Sequence, residues 1–231
     1  MRRLSRGAVV CFLKSMDVVF VIPWFPTIFG ILLNFGEAFG QAPHMAWKTV
    51  YSLEEEHQIA KGSLLTTIPK LTDEWRLSFE VNPTEFTIFG SVLHMTIGAK
   101  GGKVGDRIPA IWFHRTKGIL ISTAFRGRAS HTIIFKQLPT TYEWTKFELS
   151  QSFVQSQLMF NITIGGKNVF YQENTKPVEL ENVKVYSGNP WHPPQKGLMR
   201  NLTIEINTPP PCVPPGRPLF NFQKSKKGRG A

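Results

Sequence analysis

Cysteine is nearly absent from this chain. Cys11 and Cys212 are the two in 231 residues, and they stand too near the ends to brace what lies between, so a disulfide-stapled miniprotein is excluded. A zinc centre needs paired cysteines or His-Glu-x-x-His, and six scattered histidines supply neither. Aspartate is as scarce: beyond residue 42 only Asp73 and Asp106 occur. Hydrolysis of a sugar needs two carboxyl groups at a defined separation. Glu54 with Glu56, and Glu179 with Glu181, have the spacing of two that shares a strand face, but the first pair precedes the alternating segments and the second flanks a turn. Both read as solvated acids. No serine sits in Gly-x-Ser-x-Gly. The glycine-rich GAKGGKVGDR lacks Gly-Lys-Ser/Thr and no helix pattern follows it, so it is no phosphate loop. No window carries the three-and-four spacing of an amphipathic helix. The expectation is a chain without catalytic activity and without a cofactor.

Long apolar runs are confined to the N-terminus. Arg2, Arg3 and Arg6 precede apolar runs at 9–13 and 18–33, and Ala38, Gly40 and Ala42 follow. Basic, apolar, then small is the order of a secretory signal, and residues 1–42 are assigned to one, cleaved near Gly40 or Ala42. Lys14 and Asp17 interrupt the apolar stretch and leave Met16 as an alternative start. The 18–33 run also approaches the ~17 residues that span a bilayer, so a retained signal-anchor stays open beside cleavage. Either way the positive N-terminus puts the remainder outside the cytoplasm. After cleavage no membrane contact is expected.

The formal charge of +11 is unevenly distributed. Residues 1–42 hold four basic residues against two acids, and residues 208–231 hold five against none, leaving +4 spread over the middle. That distribution does not suit nucleic acid. The closing TPPPCVPPGRPLFNFQKSKKGRGA is proline-rich, then basic, and too poor in apolar residues to form a core. Residues 208–231 are therefore assigned to a disordered tail. Once Cys11 leaves with the signal, Cys212 is a lone thiol in an oxidising compartment and the candidate for an intermolecular disulfide and a disulfide-linked dimer.

What is abundant is alternation. In WRLSFEV, Trp75, Leu77, Phe79 and Val81 fall on one face and Arg76, Ser78 and Glu80 on the other; the period of two is that of a half-buried strand. VLHMTIG sets Leu93, Met95 and Ile97 against His94 and Thr96, LMFNITI sets Leu158, Phe160, Ile162 and Ile164 against Met159, Asn161 and Thr163, and NLTIEI sets aside Leu202, Ile204 and Ile206. IPAIWFH, GILISTAF, HTIIF, WTKFELS, NVFYQE and VELENVKVY continue the series. So many short strands with turn signals between them and no helices predict an all-β, antiparallel two-sheet sandwich over residues 43–207.

Two N-glycosylation patterns, Asn161-Ile-Thr163 and Asn201-Leu-Thr203, place Asn and Thr on the polar face of their strands, where a bulky glycan can stand in solvent. Asn161 and Asn201 are expected to be glycosylated. The loops GAKGGKVGDR, RGRASH and SGNPWHPPQKG combine cations with aromatic rings, residue types suited to sugars or anionic partners. They supply Arg107, Arg126, Arg128, His131, Trp191 and His192 as a candidate ligand-binding rim. Asp106 is the one candidate calcium ligand, with capping of its own turn as the alternative.

LLTTIPKLTDEWRLSFEVNP, GDRIPAIWFH and VKVYSGNPWHPPQKGLMRNLTIEI together resemble the concanavalin A-like lectin/glucanase superfamily, most closely the laminin-G-like jelly-roll domains of extracellular invertebrate proteins. The likeness covers residues 64–206. It implies a two-sheet jelly roll in which WRLSFEV and MRNLTIEI are the first and last strands and pair, and whose members bind carbohydrates, proteoglycans or proteins, sometimes through calcium. The glucanase Glu-x-Asp-x-Glu strand is missing, as are the clustered Asp and Asn of calcium-dependent lectins. In this frame NPWHPP joins the last two strands. It is either a ligand pocket or a plug in which Pro190, Pro193 and Pro194 end pairing and shield a sheet edge while Trp191 folds over the rim; the prolines favour the plug. The chain is thus expected to be a secreted, non-catalytic recognition module for carbohydrate or extracellular-matrix partners. The alternative is a structural matrix component assembling through Cys212 and the basic tail.

Overall fold

The computed structural model describes residues 46–98 and 102–208, all of which belong to one unit, Gln41–Ala231. The signal assigned to residues 1–42, the tail beyond residue 208 and the Cys212 disulfide lie outside the described residues. Among these residues there is no helix. Thirteen strands follow in order: β1 Ala46–Leu53, β2 His57–Gln58, β3 Ser63–Leu71, β4 Trp75–Pro83, β5 Gly90–Thr96, β6 Ala110–His114, β7 Gly118–Phe125, β8 Arg128–Phe135, β9 Thr145–Val154, β10 Gln157–Ile164, β11 Lys167–Glu173, β12 Leu180–Ser187 and β13 Gly197–Thr208. They form a seven-stranded sheet, β1-β13-β4-β9-β10-β11 with β2 also on β13, and a six-stranded sheet, β3-β12-β5-β6-β7-β8. Neighbouring strands run antiparallel throughout. This is the two-sheet sandwich that the alternation predicts.

The period of two places the apolar residues of WRLSFEV in the core: Trp75, Leu77, Phe79 and Val81 are all buried. Phe79 lies directly across from Phe147 on β9, and the two rings stack with centroids 5.1 Å apart. Phe147 then meets Phe113 of the opposite sheet at 5.9 Å, and Phe160 on β10 meets Phe125 on β7 at 6.0 Å. Ring contacts of this kind each add about 0.5–1.5 kcal/mol beyond the area they bury. They hold the sheets face to face without a disulfide.

Three expectations are revised. WRLSFEV does pair with MRNLTIEI, but it is the fourth strand; β1 precedes it and flanks β13 on the other side. Its sequence hides it, because a register shift between Thr49 and Tyr51 breaks the alternation and leaves Val50, Tyr51 and Leu53 only half-buried on the core. Ile97, expected inward, is 43% exposed, because β5 ends at Thr96 before reaching it. His94 and Thr96, expected on a solvated face, are buried. The outer face of β5 is covered by the connections on either side of it.

Candidate functional site

The covering of β5 begins with the β12–β13 connection, which contains NPWHPP. Where β12 stops, this segment takes its place beside β5: Gly188 N–H donates to the Val92 carbonyl (2.9 Å), Ser91 N–H to the Pro193 carbonyl (2.9 Å), and Gln195 N–H to the Ser91 carbonyl (2.8 Å). Gly188 is required at the entry. Its φ is +81°, and a Cβ there would stand 2.4 Å from the Ala60 carbonyl oxygen. The prolines therefore do more than end pairing. Pro193 lends its carbonyl to a ladder that needs no proline N–H, and the exposed backbone of β5 is satisfied.

Inside the turn, Asn189 Oδ1 accepts from Trp191 N–H (2.6 Å) and His192 N–H (3.1 Å). Its Nδ2 donates to His94 Nδ1 at 2.9 Å. His94 Nε2 donates in turn to the Asp106 carbonyl at 2.9 Å, so one imidazole ties together both loops that cover the sheet. The ring is 1% exposed, and burial pushes its pKa down from 6.5 to about 4, with Arg107 pushing the same way against the Asp106 carbonyl that favours the charged form. His94 meets Trp191 edge-on at 5.6 Å and Trp112 at 6.0 Å, and the Arg107 guanidinium lies 5.2 Å from the Trp112 ring centre. His192 reaches Phe89, which also touches Trp112.

Of the rim proposed from sequence, Arg107, Trp191 and His192 thus come together, but around a sealed cluster in which Trp112 is 2% exposed. The other three gather at the β7–β8 hairpin, which Arg107 also reaches, its Nη1 donating to Ser130 Oγ at 3.1 Å. Arg126 turns to the seven-stranded sheet, its Nε donating to the Glu173 carbonyl (2.8 Å) and its amide to Asn174 Oδ1 (2.8 Å). His131 stacks on core Phe125 at 5.3 Å, and its pKa is lowered by burial and then by Arg128 and Arg126. Arg128 is exposed at the start of β8. The six thus sit in two groups, one around Trp112 and one at the β7–β8 hairpin, with Arg107 touching both. Asp106 is buried and caps its own turn, Oδ2 accepting the Lys103 amide at 2.7 Å. Among the described residues it belongs to no cluster of three His, Cys, Asp or Glu side chains.

An open site lies on the other sheet. Antiparallel register sets polar side chains in rows across the outer face of the seven-stranded sheet: Glu205, Arg76, Ser150, Asn161 and Tyr171 in one, and Thr203, Ser78, Glu148, Thr163 and Asn168 in the next. Between the rows runs a groove of about 320 Å³ lined by Arg76, Ser78, Glu148, Ser150, Asn161, Thr163, Thr203 and Glu205. Trp47 flanks it, with the Arg76 guanidinium 3.7 Å from its ring centre, and Tyr171, 52% exposed, ends the first row. Neither Arg76 nor Glu205 is in an ion pair among the described residues. The groove presents hydroxyls, carboxylates and one guanidinium, hydrogen-bonding groups of both kinds, beside aromatic faces.

In the sequence this groove shows only as the polar half of each alternation, Arg76 and Ser78 in WRLSFEV and Glu148 and Ser150 in FELS, a pattern that any solvated strand shares. Both glycosylation patterns also lie on this face. Asn201 is exposed at a bulge with φ +50°, whereas Asn161 lines the groove and its Oδ1 accepts from Asn168 Nδ2.

This architecture is the antiparallel two-sheet jelly-roll sandwich anticipated from the sequence, and solved structures are similar to it. The sialyllactose-bound CBM40 domain of a Ruminococcus gnavus IT-sialidase matches with a TM-score of 0.51 at 11% identity, over 68% of this chain and 91% of that one. Laminin-G domains are among the matches: mouse laminin α1 LG4-5 gives 0.46 at 16%, covering 67% of this chain and 42% of that one. Domain 4 of the Geobacillus stearothermophilus arabinanase AbnA, in complex with arabinotriose, gives 0.44 at 16%, over 68% and 84%. No protein-family model and no curated protein sequence matches the chain.

Proposed function

We propose that residues 46–208 form a non-catalytic carbohydrate-binding module and that the groove on the outer face of the seven-stranded sheet is where the sugar lies. The observation that carries this reading is the pair of polar rows: hydroxyl, carboxylate and guanidinium groups at strand spacing along an open groove, with Trp47 and Tyr171 beside it. Sugar hydroxyls both donate and accept, so carboxylates and serines can take their hydrogens while Arg76, held on the Trp47 ring, donates to their oxygens, and the apolar face of a pyranose stacks on the Tyr171 phenol. Glu148 is paired with Lys146 (2.6 Å), so Glu205 and Arg76 leave the groove without net charge, which favours neutral over anionic sugars. Secretion fits this reading, since a glycan ligand and N-glycosylation both belong outside the cytoplasm, and the fold shared with sugar-bound CBM40 supports it.

The test is an array of neutral and sulfated oligosaccharides probed with the full chain. Binding is expected to neutral members and to fall about tenfold or more in Arg76→Ala and in Glu205→Gln, but not in Arg128→Ala. A chain that retains no oligosaccharide, or one whose binding is lost through Arg128 while the groove variants bind normally, refutes the assignment.

A further inference from the structure

We infer a second, independent ligand site: the cleft between the two sheets beside β8 and β11 takes a single acyl chain with a carboxylate head. These two strands are the last in their sheets and lie on the same side of the sandwich. The 136–144 connection carries the chain there from one sheet to the other, and opposite it the β10–β11 hairpin turns through Gly165 and Gly166 at φ +56° and +76°. Gly165 lines a cleft of about 420 Å³ there, and a Cβ on it would meet only Thr145 Cγ2, at 4.0 Å.

Phe135, Leu138, Ile164 and Val169, half-buried and packed on the main core, line the cleft, with Gln137, Thr140 and Thr145 beside them. A hydrocarbon tail entering here extends that core and takes its methylenes out of water. The polar end is chosen by charge. Lys136 lies just after β8 and Lys167 opens β11, so cations from opposite sheets flank the cleft. Neither is in an ion pair among the described residues, and no aspartate or glutamate lines the cleft. The two lysines disfavour a cationic amphiphile. The volume, near the lower end of the ~300–1,000 Å³ typical of ligand pockets, suits one chain rather than two.

The site shares no residue with the sugar groove, so the two assignments stand or fall separately. Sodium dodecanoate is titrated into the full chain below its micellar concentration, with stoichiometry read by native mass spectrometry and affinity by calorimetry. Dodecyltrimethylammonium serves as the probe of equal tail and opposite charge. One dodecanoate per chain is expected, weakened roughly tenfold or more in Lys136→Glu/Lys167→Glu, with dodecyltrimethylammonium binding that variant more tightly than the parent. Val169→Trp, which fills the cleft, is expected to abolish dodecanoate binding. If Val169→Trp does not fold, the surface charge reversal still decides. Absent binding, several dodecanoates per chain, an affinity unmoved by the charge reversal, or preference of the parent for the cationic probe overturns the proposal.

Discussion

Acid is expected to unlock the loops over the six-stranded sheet through His94. The imidazole is buried and neutral, and its folded pKa is about 4 against an ordinary value of 6.5. Above pH 6.5 both states leave it unprotonated and nothing is lost. As the pH falls from 6.5 toward 4 the unfolded chain takes up a proton that the folded one refuses, so stability falls in that window. At about 1.4 kcal/mol per pH unit, the loss is about 2 kcal/mol at pH 5 and about 3 kcal/mol once both states are protonated. Protonation puts a hydrogen on Nδ1 facing the Asn189 amide donor, and adds a charge beside Arg107. His94→Gln removes the titration and keeps a polar side chain. Urea denaturation at pH 7 and pH 5 and fixed ionic strength measures the effect. The variant is expected to be less stable at pH 7, with its deficit shrinking by about 2 kcal/mol at pH 5. His131 is also held below its ordinary pKa, but it is present in both proteins and cancels. Parallel stability curves for parent and variant would refute the reasoning.

Phe79→Ala removes half of the ring stack that joins β4 to β9 and is expected to cost about 3–5 kcal/mol in the same denaturation assay. Trp191→Ala strips the ring from His94 while leaving the Asn189 turn, and is expected to cost about 1–2 kcal/mol with unchanged retention on an oligosaccharide array. A folded Trp191→Ala chain that loses retention would instead make NPWHPP the ligand site. A glycan on Asn161 would fill the groove assigned to sugar, so peptide mapping of material from a glycosylating host is expected to find Asn161 bare in the fraction that an oligosaccharide column retains. Equal occupancy in retained and unretained fractions counts against that groove.

The strand alternation determined by itself which side chains share a face, because on a pleated strand every second one does so whatever the neighbours are. Trp75, Leu77, Phe79 and Val81 needed nothing more, and neither did the outward setting of Asn161 and Thr163. Where side chains from distant strands meet is another matter, because register depends on bulges and turns that leave little trace in composition. Only the tertiary structure could bring Glu205, Arg76, Ser150 and Asn161 into one row. It alone could turn His94 from a solvated strand residue into the buried tie between two loops, because a strand's pattern says which face a side chain takes and not what later folds over that face.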